Sequence, residues 1–386
     1  MGLFLEYGYT SFNKYGEELC GDMVSIVKKD EYTTLVLADG MGSGVKANIL
    51  STLTSKILST MVSNNIPMEE CIETIVETLP VCKVRDVAYS TFSVIHLNNE
   101  GIGYMFEFDN PQCIFLRNCQ PQELKREVLR ILDKKIYKTN LELKDQDMIL
   151  VMSDGVPHAG IGKSLNLGWE RKEIIEYVER NINNHMSARC VANVLATASN
   201  ALYMYEPGDD TTVAAVKIRQ EQNVNIMIGP PSKKEDDEKY VKEFLEQKGI
   251  RIVCGGTTSQ IVADYLNEEV ETVLDYIDKE LPPIGYIKGI DLTTEGILTL
   301  RKLIDLSETY LRVDSEEPKS FSKRDGASKL ANFLFEEATC VNFFVGQAVN
   351  EAHKGLPIDS TLKFKLVEKL SNNLEKMGKK IEIRYY

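Results

Sequence analysis

The stretch Val36 to Asn48, VLADGMGSGVKAN, runs from an apolar, strand-like segment into an aspartate and then through glycine-spaced residues into a helical pattern. How Asp39 and its glycines are read decides the surrounding domain. A dinucleotide loop requires G-x-G-x-x-G at a strand-to-helix turn, whereas Gly40, Gly42 and Gly44 give G-x-G-x-G, with Ala47 where a looser match would be sought. A Walker loop requires Gly immediately before its Lys, but Val45 precedes Lys46, and Asn48 is not the metal-binding Ser or Thr. Both readings leave Asp39 unexplained, because a carboxylate at the mouth of a phosphate cradle repels the ligand unless a cation lies between them. A metal site uses Asp39 directly.

The chain around this stretch is 386 residues long, more than one ordinary core holds, which points to two domains. With 43% hydrophobic and 27% charged residues it has the composition of a globular protein with substantial cores. A net charge of -13 repels phosphate backbones, so no nucleic-acid partner is expected. No apolar run approaches the roughly 20 residues that span a bilayer. The opening MGLFLEYGYT carries Glu6 and no basic flank, unlike a signal peptide, and Glu6 breaks the myristoylation pattern. Eight cysteines without C-x-x-C spacing read as reduced core residues, which places the protein in a cytoplasm.

The first half is rich in strands. DMVSIVKK alternates, YTTLVLAD is apolar and β-branched, and helical patterns follow from about Gly44 to Met61 and Met68 to Leu79. YSTFSVIHL, GIGYMFEF and QCIFLR are strand-like runs separated by short turns, and DMILVMSDG is an apolar strand ending in aspartate. Helical patterns at about 170–183 and 187–201 precede the strand-like GDDTTVAAVKI. Strands with hairpin-length links, interrupted by paired helices, predict an α/β fold in which antiparallel sheets pack together and are covered by helices. The expected domains are residues 1–220 and 221–386, with the boundary at RQEQN, residues 219–223.

Beyond the boundary, VNIMIG, a charged helix from about Lys233 to Lys248 and IRIVCGG form a βαβ candidate with a parallel sheet. A polar loop is expected from Ser315 to Lys329, then helices from about Lys329 to His353 and Ser360 to Met377, and a closing strand KIEIRYY. In IRIVCGGTTSQ, a glycine pair opens a hydroxyl-bearing helix start, so Gly255, Gly256, Thr257 and Thr258 are a candidate anion site. Ordinary helix capping explains the same residues.

Asp39 is not alone at a strand end. Asp22 opens a strand after CG, Asp154 closes MILVMS, and Asp209 and Asp210 precede TTVAAV. Any one of them reads as a turn residue, but strand ends are rigid points from which short side chains converge. Aspartates without nearby His or Cys suit the hard cations Mg²⁺ and Mn²⁺ rather than zinc. His158, four residues past Asp154, reads as an ordinary turn histidine, with a general acid as the alternative.

ADGMGSG with SDG and GDDTTV, preceded by KYGEELCGD, resembles the metal-dependent serine/threonine phosphatases of the PPM class, in particular the stage II sporulation protein E branch. The resemblance covers roughly residues 1–220 and implies an α-β-β-α sandwich there; the second, smaller α/β domain after it is read from its own βαβ pattern. It implies two divalent cations, Mn²⁺ or Mg²⁺, with Asp39 bridging them and the Gly40 carbonyl as a further ligand. Asp22 would help hold one ion and Asp154 and Asp209 the other, Asp39 and Asp154 being catalytic and Asp210 supporting. The implied reaction is hydrolysis of phosphoserine or phosphothreonine on a bacterial signalling protein, by attack of a water that bridges the ions. The eukaryotic branch has His where this chain has Met41, so no general acid carries over; its phosphate-gripping Arg has no clear match, and Lys14 stands nearby instead. The helices from Ser43 to Leu79 correspond to a regulatory switch in the sporulation branch, with simple core cover as the alternative. Residues 221–386 read as a regulatory, sensor or docking domain for a protein or small ligand, and a homodimer is among the expected assemblies. The rival function is a catalytically silent scaffold that keeps the metal site and acts through protein contacts.

Overall fold

A computed structural model describes residues 2–78, 90–132, 134–272, 284–312, 325–348 and 361–386. These fall into two compact units, Met1–Gln220 and Glu221–Tyr386.

The first unit contains β1 (Leu3–Phe12), β2 (Asp22–Lys28), β3 (Tyr32–Gly40), α1 (Gly44–Ser63), α2 (Met68–Thr78), β4 (Ser90–Asn98), β5 (Ile102–Phe108) and β6 (Ile114–Arg117). It continues with β7 (Gln120–Gln122), β8 (Glu127–Ile131), β9 (Lys134–Glu142), β10 (Asp147–Met152), α3 (Arg171–Asn181), α4 (Ala188–Leu202) and β11 (Thr211–Gln220). The strands form one sheet in the order β1-β11-β10-β6-β7 and another in the order β2-β3-β4-β5-β9-β8. Every pairing in both is antiparallel.

Alternation along the strands sorts side chains into three layers. Leu35, Leu37, Ile95 and Leu97 from one sheet meet Ile149, Val151, Ala214 and Val216 from the other in a core between the sheets. The opposite faces of the same strands are also apolar: Val36, Ala38 and Val94 pack under Leu58, Val62 and Ile72 of the first helix pair. Met148, Leu150 and Val213 pack under Ile174, Val178, Val191 and Leu195 of the second. Strands buried on both faces are what make an α-β-β-α sandwich. The sequence reading passes over β1, which pairs along its whole length with β11 from Leu3↔Gln220 to Phe12↔Thr211. It passes over β8 and β9 as well. Leu79, the end of the second expected helix, lies outside the described residues.

The second unit contains β12 (Asn223–Ile228), α5 (Asp237–Leu245), β13 (Ile250–Cys254), α6 (Gly256–Leu266), β14 (Glu271–Thr272), β15 (Gly285–Tyr286) and β16 (Leu292–Thr294). After these come α7 (Ile297–Leu311), α8 (Gly326–Ala331), a π-helical segment Asn332–Glu337, β17 (Cys340–Val345), α9 (Thr361–Lys376) and β18 (Lys380–Tyr385). The sheet order is β14-β15-β16-β13-β12-β17-β18, and the pairs joining β16, β13, β12, β17 and β18 are parallel. One face is covered by Leu300, Leu303, Leu330, Leu334, Leu370 and their neighbours, the other by Tyr240, Val241, Phe244 and Val262.

Two sequence expectations change here. The helix expected from Lys329 to His353 is interrupted by β17, whose CVNFFV lies mostly buried between β12 and β18. A short apolar run buried in a parallel sheet has no polar alternation to distinguish it from a buried helix; His353 itself lies outside the described residues. The loop expected from Ser315 to Lys329 falls largely outside them too, and its end is helical, with Asp325 capping α8 by accepting a hydrogen bond from the Ser328 N–H at 2.8 Å. Among the described residues no helix is long and apolar enough to cross a membrane.

Candidate metal centre

Three turns of the first unit meet at one place because small residues let them. Gly40 ends β3 against the first turn of α1, so closely that a Cβ there would collide with the Ala47 backbone. Its N–H donates to the Gly21 carbonyl at 3.1 Å, tying the end of β3 to the Cys20–Gly21–Asp22 turn. Gly42 and Gly44 have φ of +99° and +69°, so the chain reverses from strand to helix through conformations that side chains rarely adopt. These glycines thus have structural reasons independent of a phosphate. The mouth of the loop also holds an acid, since Glu17 accepts a hydrogen bond from the Ser43 hydroxyl at 3.2 Å. Gly155, just past β10, leaves room for the Asp210 carbonyl. Ser153 and Thr212 lock that junction: Ser153 N–H donates to Thr212 O at 3.0 Å, and Thr212 N–H to Ser153 Oγ at 2.9 Å. The buried Tyr203 hydroxyl donates to the Gly155 carbonyl at 2.9 Å and holds the turn from below.

The aspartates are carried inwards on these turns. Asp22 and Asp39 are direct cross-strand partners in the β2–β3 register. Asp22 is 4% exposed, and both its carboxylate oxygens are buried without a hydrogen-bond partner among the described residues. Burial and the charges of Asp210 and Asp154 push its carboxyl up to about 7. The Ser153 and Thr212 hydroxyls oppose the rise without reaching hydrogen-bond geometry. Asp39 is pushed up to about 9, by burial first and then by Asp22, Asp154 and Asp209. Burial and Asp154 raise Asp209 as well, against the pull of the Lys14 ammonium. Asp210 accepts a hydrogen bond on Oδ1 from the Lys14 backbone N–H at 3.0 Å, while its Oδ2 is buried and unpartnered beside Gly21. The same field reaches neighbouring groups. Burial, Asp22 and Asp210 raise the Cys20 thiol, and burial, Asp209 and Asp154 raise the Tyr203 phenol.

Like charges gathered and partly stripped of water need a compensating cation. Three buried carboxylate oxygens with no partner, and neighbouring carboxyls held far above their ordinary range, fit a divalent ion bound by hard oxygen donors. The Gly40 carbonyl lies on the same turn as Asp39. His158, an ordinary turn histidine by its sequence, joins the cluster: its Nδ1 lies 3.8 Å from Asp154 Oδ2, and one donor atom from each of Asp154, His158 and Asp209 falls within 4.8 Å of the others. Lys14 reaches the cluster through its backbone and, at longer range, its charge.

In the second unit, Gly255 has φ of +113° and its N–H donates to the Thr294 carbonyl at 2.9 Å, so that donor is committed within the sheet edge. Thr258 is buried, whereas Gly256 and Thr257 are exposed at the start of α6.

The sandwich and its acidic cluster have the architecture of a PPM-class phosphatase domain. Residues 29–219, within the N-terminal unit, match the family described as stage II sporulation protein E (SpoIIE). The phosphatase domain of the cell fate determinant SpoIIE from Bacillus subtilis, in a crystal form without domain swapping, aligns at 19% identity and a TM-score of 0.44. That alignment covers 57% of this chain and 94% of that one. A longer SpoIIE structure from the same organism, with a fragment of the regulatory domain, aligns at 21% identity and a TM-score of 0.49, covering 56% of this chain and 64% of that one. The RsbU and RsbW domains of a Mycobacterium tuberculosis protein align at 16% identity and a TM-score of 0.47, covering 63% and 70%. No curated protein matches the chain.

Proposed function

We propose that the N-terminal unit is a metal-dependent phosphatase that hydrolyses phosphoserine or phosphothreonine on a regulatory protein. The observation that carries this reading is the convergence of Asp22, Asp39, Asp154 and Asp209 with buried carboxylate oxygens left unpartnered, inside a SpoIIE-type domain. Asp39, Asp22 and the Gly40 carbonyl would hold one cation, and Asp39, Asp154 and Asp209 a second, with Mn²⁺ and Mg²⁺ both suited to these oxygens. When bound, such ions neutralise charge on the phosphoryl oxygens and lower the pKa of water for in-line attack.

The protein's own part is to fix the donors. Ser153, Thr212 and Tyr203 hold the turns that present Asp154 and Asp209, and Gly40 and Gly155 permit their close approach. Lys14, whose backbone N–H donates to Asp210 and whose charge acts on Asp209, would attract a phosphate towards the cluster. The second unit, an α/β body with its own core, is proposed as the regulatory or docking part, answering a protein or small ligand.

The test is turnover of p-nitrophenyl phosphate and of a phosphoserine peptide with Mn²⁺, Mg²⁺ or EDTA. Native activity with either metal, abolished by EDTA and lowered at least 100-fold by Asp39→Asn and by Asp154→Asn, is the expected result, on the scale of losing an electrostatic catalytic group, ~10² or more. Equal rates in all three proteins would remove the reading. Metal binding without turnover on either substrate would favour the scaffold function.

A further inference from the structure

We propose that His158 is a nitrogen ligand to the cation held by Asp154 and Asp209, which makes that position selective for Mn²⁺ over Mg²⁺. The proposal rests on the metal reading above and adds a donor that the carboxylate pattern does not contain.

Four observations carry it. After β10 the chain closes a tight turn in which His158 N–H donates to the Asp154 carbonyl at 3.0 Å, bringing the two side chains to the same side. His158 Nδ1 then lies 3.8 Å from Asp154 Oδ2, and donor atoms of Asp154, His158 and Asp209 lie within 4.8 Å of one another. Two ligand bonds of roughly 2.0–2.2 Å span about 4 Å, so a small closure of side chains suffices to bring all three onto one ion. Asp154 and His158 can make that closure, being 48% and 51% exposed. Finally, the buried oxygens of Asp22 and Asp210 in the same cluster, without partners among the described residues, independently suit a cation.

The alternative role for His158 is a surface ion pair with Asp154. The chemistry separates the two. A charge near the site changes the affinity of all divalent ions together, whereas an imidazole bond favours Mn²⁺ and Co²⁺ and adds little for Mg²⁺, which prefers oxygen alone.

The experiment is pulsed electron paramagnetic resonance of the full-length protein with substoichiometric Mn²⁺ at pH 8. Calorimetric titrations with Mn²⁺ and Mg²⁺ accompany it. The native chain is expected to show ¹⁴N coupling from a bound imidazole. His158→Ala and His158→Gln should lose it and bind Mn²⁺ at least roughly tenfold more weakly, the minimum seen even when a group supporting a ligand is removed, with Mg²⁺ affinity nearly unchanged. His185→Ala should keep the signal. If the native chain binds Mn²⁺ in an Asp39-dependent manner without ¹⁴N coupling, the carboxylate centre stands and His158 is not a ligand. Equal losses of Mn²⁺ and Mg²⁺ affinity in the variants would reduce His158 to an ion-pair partner. Failure of the native chain to bind Mn²⁺ would overturn this proposal and the metal reading together.

Discussion

Asp22 is a buried acid whose two carboxylate oxygens have no hydrogen-bond partner among the described residues. An ionised carboxylate in that setting either finds a cation or takes up a proton. With Asp22 raised to about 7 and Asp39 to about 9, the cation-free folded state binds more protons than the unfolded chain, whose aspartates titrate near ~3.9. The contribution to stability is therefore fully present below about pH 4 and is lost as pH rises through the folded values, towards about pH 9. In EDTA, the Tm of the N-terminal unit should fall between pH 6 and pH 9. Saturating Mn²⁺ should oppose the fall, and Asp39→Asn should flatten it and raise Tm at the alkaline end. A native chain whose Tm in EDTA is level across that range would show that the acids are already compensated. The aspartates were legible in the sequence because each adjoins a strand end and most adjoin glycine. His158 was not, because its approach to Asp154 and Asp209 runs through an irregular turn whose path no periodicity encodes.

Among the elements, the turn after β10 matters most, since it carries Asp154 and His158 and is pinned by Tyr203. Tyr203→Phe removes the donor to a buried carbonyl and should cost about 1 kcal/mol. Gly155→Ala forces a methyl group into the Asp210 carbonyl and should cost more, on the order of 1–3 kcal/mol. Both should weaken Mn²⁺ binding, which titration calorimetry beside a thermal melt would read. Unchanged affinity in a destabilised Gly155→Ala protein would mean that the turn does not set the ligand geometry. Long helices and alternating or hairpin-linked strands announced themselves, as α1, α4 and β2 to β6 illustrate. β1 did not, because its partner is β11, at the other end of the unit. β17 did not either, because a strand buried in a parallel sheet carries no amphipathic signature.

For the whole molecule, each unit has its own core, three apolar layers in the first and two in the second. Scanning calorimetry of the full chain should resolve two transitions, and Mn²⁺ at 100 times its Kd should stabilise only one, by about 2.7 kcal/mol. A single transition moved as a whole by Mn²⁺ would instead reveal tight coupling between the units. The parallel sheet of the second unit was visible in its βαβ pattern, but its ligand was not, since a glycine pair at a helix start serves capping and anion binding equally. The central claim concerns cations among acids, and anomalous scattering from crystals of the native chain grown with Mn²⁺ tests it most directly. Two peaks roughly 3.5–4 Å apart, ringed by Asp22, Asp39, Asp154 and Asp209, are the expected result. No anomalous peak within that ring, at Mn²⁺ concentrations that support turnover, would contradict it.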